Sequence, residues 1–297
     1  MGRWVPKLQR VLAKGNRKKF LVYLSLATLA LIGIAGLLNY LGNRGRSTKP
    51  SYSSGSDSDG TKPVTDGEPF TRQISVIELA DGQLDEASTA SSSSAALPRS
   101  VEKDKLAIAF VWARDTGGQP HPVLSGGGVG QWDQIGNTND DSDIDDSLGR
   151  IYAFRGVGDG SRGASVTIDF GAGNNHSAIS WWIGEIDGAK IGNNGADAIN
   201  QAVFVGNSPN STSHTVSLQQ FADPTNNAVF QVVYHGQTDG GFYAENGFTL
   251  LKNQADTKLG GSFGVQWKLG EDTTPTLAWV TKASNLALAL EIAGLQH

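Results

Sequence analysis

The run Phe20 to Leu38 (FLVYLSLATLALIGIAGLL) holds nineteen apolar or small residues inside an uncharged window that extends to Asn43. A helix rises about 1.5 Å per residue, so such a run matches the roughly 30 Å hydrocarbon core of a bilayer. It predicts one membrane-spanning helix over residues 20–41, and the rest of the chain must then lie on one side or the other. A cleaved signal peptide is the competing reading, but its apolar core is about 7–15 residues long and is followed by an A-x-A-like site. Here Asn39, Tyr40, Asn43, Arg44 and Arg46 follow instead. An uncleaved anchor is the expectation.

Charge orients the anchor. Ten of the 24 Lys and Arg residues and none of the 29 Asp and Glu lie before position 50, and seven of those ten precede the apolar run. Cytoplasmic flanks carry the excess of Lys and Arg, so the N-terminus is expected inside and the bulk of the chain exported, periplasmic or extracellular. The exported part is acidic, which argues against nucleic acid as its partner. Within the basic segment 1–19, Trp4, Leu8, Val11 and Leu12 share one helical face. That is either a segment resting on an anionic inner leaflet or a plain basic flank.

Residues 42–69 are rich in Ser, Gly, Pro, Asp and Lys and nearly empty of large apolar side chains. A stretch of this kind buries too little surface to offset its ordering entropy and predicts a flexible tether. Ser88 to Ala95 is a second polar patch, expected as a loop. From Phe70 onward the pattern changes to short apolar or alternating runs. They fall at Gln73–Leu79, Leu106–Trp112, Ile151–Phe154, Ser165–Phe170, Ala178–Ile186 and Ala202–Val205. Thr215–Leu218, Ala228–Tyr234, Phe248–Leu251, Phe263–Leu269, Thr276–Thr281 and Leu286–Ile292 continue the series. Gly, Asn, Asp or Pro punctuates each boundary. No amphipathic helix of three turns follows residue 45, so residues 70–297 are expected as one all-β domain, a β-sandwich of jelly-roll-like kind. The 38 glycines suit a body built on tight turns. Cysteine is absent, which excludes thiol catalysis and Cys-ligated zinc and leaves the redox compartment open.

The succession KLAIAFVWARD, SGGGVGQWDQI, GRIYAFRGVGDGSRGASVTIDF, HSAISWWIGEIDGA, NNAVFQVVYHG, GFTLL and NLALALEIAG resembles the Gly-rich β-sandwich modules of bacterial surface proteins and phage tail or virion proteins. The resemblance covers about Leu97 to Gly294 and is one of rhythm. It implies attachment or a structural role, and the anchor favours a surface or envelope setting.

Three constellations bear on chemistry. Trp181-Trp182-Ile183-Gly184-Glu185-Ile186-Asp187 is similar to part of the E-x-D-x-x-E strand of one family of β-sandwich glycoside hydrolases. Period-two spacing places Glu185 and Asp187 on one strand face. A retaining glycosidase needs two carboxyls about 5–5.5 Å apart, and the motif's acid/base position falls on Lys190 or Ala189, neither of which serves. The acidic loop Asp133 to Asp146 alternates Asn137, Asn139, Asp141, Asp143 and Asp145, hard oxygen donors of the kind Ca²⁺ takes. Asn139, Asp141, Asp143 and Asp145 are the candidate calcium ligands, although the helix-loop-helix calcium pattern fails at Ser142 and Leu148. A solvated acidic loop is the alternative. Gly260-Gly261-Ser262-Phe263-Gly264 is formally G-x-S-x-G, but strand continues after it where a nucleophile elbow needs helix. The five histidines show no metal-ligand spacing and are expected as ordinary loop and surface residues.

Aromatics remain as a binding resource. Trp181 and Trp182 are adjacent, so a regular strand sends them to opposite faces, one to the core and one to the surface. An exposed indole, with Trp132, Glu185 and Asp187 nearby in type, suits a glycan or a protein partner, whereas packing of each Trp in the core is the competing reading. The sequence therefore points to a single-pass membrane protein whose exported β-sandwich binds or builds and does not catalyse. Its partners are the lipid bilayer, other proteins and glycans, with no cofactor beyond a candidate calcium. An accessory single-helix subunit of a larger membrane complex is the alternative, and a glycosidase the weakest reading.

Overall fold

β3 (Leu106–Ala113) is buried at every position because its two faces look into different cores. Successive side chains of a strand point to opposite faces. Leu106, Ile108, Phe110 and Trp112 enter one apolar cluster, while the smaller Ala107, Ala109, Val111 and Ala113 enter a second. β8 (Ile179–Asp187) and β10 (Ala228–His235) follow the same rule, so both are near-continuous apolar runs with little alternation.

The structure, a computed structural model, describes residues 73–84, 91–114, 121–138, 149–172, 178–238, 241–256 and 260–295. All belong to one compact unit, residues 66–297. The anchor run Phe20–Leu38, the basic segment and the tether lie outside the described residues. No helix among the described residues is long and apolar enough to cross a membrane.

Among the described residues, fourteen strands form two antiparallel sheets. The first contains β1 (Ser75–Leu84), β2 (Ser92–Ala96), β3, β4 (Val123–Gly126), β5 (Val129–Asn137), β6 (Arg150–Gly158), β7 (Ser165–Asp169) and β8. Its order is β1-β8-β3-β6-β5-β4-β7-β2, and its two ends, β1 and β2, come into contact. The sheet therefore curls, and its concave face holds Val111, Tyr152, Phe154, Ile168 and Trp181 as a core of its own. The second sheet contains β9 (Ile199–Thr215), β10, β11 (Phe242–Tyr243), β12 (Thr249–Asp256), β13 (Gly261–Leu269) and β14 (Thr276–Ile292). Its inner face (Phe230, Val232, Phe263, Leu288, Leu290) packs on Phe110, Trp112 and Trp182 of the first sheet, which makes the body a β-sandwich. Lys252 of β12 crosses between the sheets to Asp81 of β1 at 3.2 Å. Burial lowers its pKa against the opposing pull of Asp81.

The β9–β14 ribbon folds back on itself. Gln201 pairs near one end of β14, opposite Glu291, yet it shares two hydrogen bonds with Gln219, beyond the other end of β9 (3.0 and 2.8 Å). Register irregularities between Ala278 and Ala287 provide the bend. The folded-over arm lays Val216, Leu218, Leu277 and Trp279 on Val229, Val233, Ala287 and Ala289, a third apolar cluster.

Several sequence expectations need correction. β14 is one long strand where two were expected, because the bend at its middle is a bulged corner without loss of pairing. Ser92 to Ala95 belongs to β2 and not to a loop: Ser93 and Ala95 alternate inward, and side chains this small leave no hydrophobic signal. β4 and β5 were not foreseen, since their glycines mask the alternation. Residues 216–218 lie outside the strand that ends at Thr215. His214 and His235 are buried, not surface residues, because both faces of the second sheet are covered.

Candidate functional site

The C-terminal end of β8 delivers Glu185 and Asp187 to the segment that leads into β3. Both guanidinium nitrogens of Arg99 donate to Glu185, Nη1 to Oε2 at 2.8 Å and Nη2 to Oε1 at 3.0 Å, and the Glu102 N–H adds a third bond to Oε2 at 2.7 Å. Asp187 accepts from Lys105 Nζ at 2.5 Å and from the Gly188 N–H at 2.8 Å. Burial opposes ionisation of Glu185, but the Arg99 fork, the Glu102 N–H and the charges of Arg99 and Lys105 outweigh it and hold the carboxyl below its usual range. The same bond raises the pKa of Arg99. Glu185 is 1 % exposed with its lone pairs engaged, so the pair clamps segment 99–105 to the sheet. It offers no open carboxylate to a sugar.

The tryptophan expectation is corrected. Trp182 is fully buried between the sheets, its ring centroid 5.8 Å from that of Phe110 and its indole N–H donating to Glu78 Oε2 at 2.8 Å. Trp181 is buried in the concave core, and Trp132 is buried with its N–H on the Gly126 carbonyl at 3.1 Å. The adjacent indoles do take opposite faces, but each face is roofed, so neither forms a platform. Ser262 lies in β13, buried, with Oγ donating to the Gln237 carbonyl at 2.8 Å, and it forms no nucleophile elbow. The candidate calcium ligands Asn139, Asp141, Asp143 and Asp145 lie outside the described residues. Among the described residues no three His, Cys, Asp or Glu gather as a metal-holding group.

Next to the clamp, an open cleft of about 520 Å³ is edged by Asp104, Gln131, Asp159 and Asn194 over Val157 and Ile191. Asp104 sits in the turn between the Arg99 clamp and β3, with its N–H on the Gly158 carbonyl at 2.9 Å, and the Gly158 N–H returns to the Lys105 carbonyl at 2.9 Å. Asp159 is fixed by its own N–H to the Gly128 carbonyl (3.0 Å) and by the Ser161 N–H on Oδ1 (2.7 Å), and the Ser161 bonds lower its pKa. Asn194 lies in the one 3-10 segment between β8 and β9, Asn193–Ala198. Asp104 (φ 60°) and Asn194 (φ 46°) are the two non-glycine residues with positive φ among the described residues, and both edge this cleft. Left-handed backbone outside glycine costs energy and concentrates where surroundings enforce it.

Behind the cleft, Asp133 organises the two amides. Asn194 Nδ2 donates to Oδ2 at 2.7 Å and Gln131 Nε2 to Oδ1 at 2.6 Å, with Arg155 3.8 Å away. The Asn194 bond first and the Gln131 bond second hold the Asp133 carboxyl below its usual range. Sequence reasoning missed this grouping because its members come from β5 (Gln131 and Asp133) and from three connecting segments far apart in the chain. Its only local trace is the turn dipeptides Asp159-Gly160 and Asn194-Gly195. Compared with known protein families and with proteins of curated function, the chain matches no family model and no curated sequence.

Proposed function

We propose that this protein is a single-pass membrane protein with an exported, jelly-roll-like β-sandwich that acts as a non-catalytic binding or structural module. The basic residues 1–19 and the apolar run 20–41 hold it in the membrane, and the tether 42–69 lets the body stand tens of Å away. The observation that carries the reading is the use of Glu185 and Asp187. The one strand motif with catalytic resemblance spends its carboxylates on Arg99, Glu102 and Lys105. What the same end of the sheet leaves open is a polar cleft suited to recognition.

Removal of residues 1–45 tests it. Affinity recovery with the shortened chain and with the full-length chain in native membranes should return the same surface or envelope partners. If only the full-length chain recovers them, the helix is the docking element and the accessory-subunit reading replaces this one. Hydrolysis of glycosides that disappears with Glu185→Gln would overturn both.

A further inference from the structure

We infer that the cleft between Asp104 and Asn194 is a binding site for a neutral sugar ring of a surface glycan, an inference that rests on the binding-module reading above. The direction of its hydrogen bonds carries the argument. Both amide donors at the rim, Asn194 Nδ2 and Gln131 Nε2, are turned back onto Asp133. Asn194 spends its second N–H on the Gln131 carbonyl at 3.3 Å, so the two amide oxygens and one N–H of Gln131 are what remains for the cleft. Asp104 is exposed and its carboxylate takes no hydrogen bond among the described residues, and Asp159 keeps Oδ2 beside Gly130 while Oδ1 holds the Ser161 N–H. Acceptors therefore outnumber donors at the rim, which calls for a ligand rich in donors.

Three classes of ligand can satisfy oxygen acceptors, a hard cation, an ammonium group and a polyhydroxyl ring, and the floor chooses among them. A hard cation gains nothing from Val157 and Ile191, whereas the C–H face of a pyranose gains burial there while its hydroxyls meet the four rim oxygens. A long ammonium side chain would use one or two of the four acceptors and leave the others without donors. Two carboxylates also repel anionic sugars, so uronic and sialic acids are selected against. Asp104 and Asn194 come from different segments of the chain, and their enforced backbone fixes the point from which each side chain leaves it, which reduces the ordering cost of binding.

The test uses the full-length chain in lipid nanodiscs, free of sugar-headed detergent. Saturation-transfer NMR is recorded with glucose, galactose, mannose, N-acetylglucosamine and their disaccharides, with glucuronate, spermine and CaCl2 as comparison probes. At least one neutral saccharide should give transfer to its ring protons. Asp104→Gly and Asn194→Gly should each weaken it tenfold or more, and Asp104→Gly should do so with the melting temperature unchanged, because glycine accepts its φ and the carboxylate removed holds no other group. Absence of transfer from every neutral saccharide, retention of binding in both variants, or equal binding of glucuronate, spermine or calcium would overturn the assignment. The partner-recovery experiment reads the wider proposal separately: recovered partners with a silent cleft sink the sugar site alone.

Discussion

Arg99 and Glu185, 86 residues apart in sequence, meet through a two-bond fork of 2.8 and 3.0 Å at the rim of the first sheet. Glu185 is 1 % exposed and Arg99 about a third, so the carboxylate depends on the arginine far more than the reverse. Arg99→Ala leaves a buried charge with only the Glu102 N–H and distant Lys105. The expected loss is about 2–3 kcal/mol, below the range for fully buried pairs because water reaches the arginine side. In a domain of this size that lowers the melting temperature by about 2–4 °C per kcal/mol. Pairing Arg99→Met with Glu185→Leu should recover much of the loss, and calorimetry that shows additive losses instead would contradict the clamp.

The same clamp sets an acid limit. Glu185 has a folded pKa below its ordinary 4.5, so the folded state binds fewer protons than the unfolded state around that pH. Its contribution is complete above 4.5 and is lost as pH falls through the folded value. Melting temperature followed from pH 6 downward should decline below 4.5, and the decline should be shallower in Glu185→Gln. Parallel curves for the two proteins would assign the acid limit to other carboxylates.

His214 gives a second pH dependence, at the corner where the β9–β14 ribbon bends. Burial disfavours its charged form, the hydrogen bond of Nδ1 to Asn285 Oδ1 opposes that, and the net shift is downward from 6.5. The unfolded chain then takes up a proton near pH 6.5 that the folded chain refuses. The stability that neutral His214 contributes is present above 6.5 and is lost as pH falls from there toward the folded value. His214→Gln should flatten the stability curve between pH 7 and 5 in urea titrations, and an unchanged slope would place the proton elsewhere.

The sequence made the class of fold legible and left the site obscure, for one physical reason. Leu106–Ala113 is apolar along its whole length and Ala228–His235 is broken only by Gln231 and His235, and runs so apolar and so short, bounded by turn residues, fit strands covered on both faces. Burial on both faces then defeats inference about exposure. Trp181 and Trp182 do alternate as the period requires, yet each meets a core, because the curl of the first sheet roofs the face that an open sheet would show to water. Glu185 and Asp187 were found as a pair on one face, but their partners Arg99 and Lys105 precede them by more than eighty residues and no local spacing announces them. The cleft has the same difficulty in stronger form, since Asp104, Gln131, Asp159 and Asn194 are joined only by the topology.

The Trp181-Trp182 pair also explains two glycines, and the explanation ranks them. A Cβ on Gly184 would stand 2.2 Å from Cη2 of Trp182, and one on Gly82 would stand 2.4 Å from Cζ2 of Trp181. Each glycine is the space in which an indole lies flat. Trp182 is pinned by its N–H on Glu78 and by stacking on Phe110, whereas the Trp181 N–H has no hydrogen-bond partner among the described residues. The ring of Trp181 therefore has one restraint fewer and can yield further. Overpacking a well-filled core costs about 1–3 kcal/mol, so Gly184→Ala should fall toward the upper end of that range and Gly82→Ala toward the lower. Near-ultraviolet circular dichroism should change more for Gly82→Ala, as its indole moves. The reverse order of stabilities in calorimetry would show that the Glu78 bond does not hold Trp182 in place.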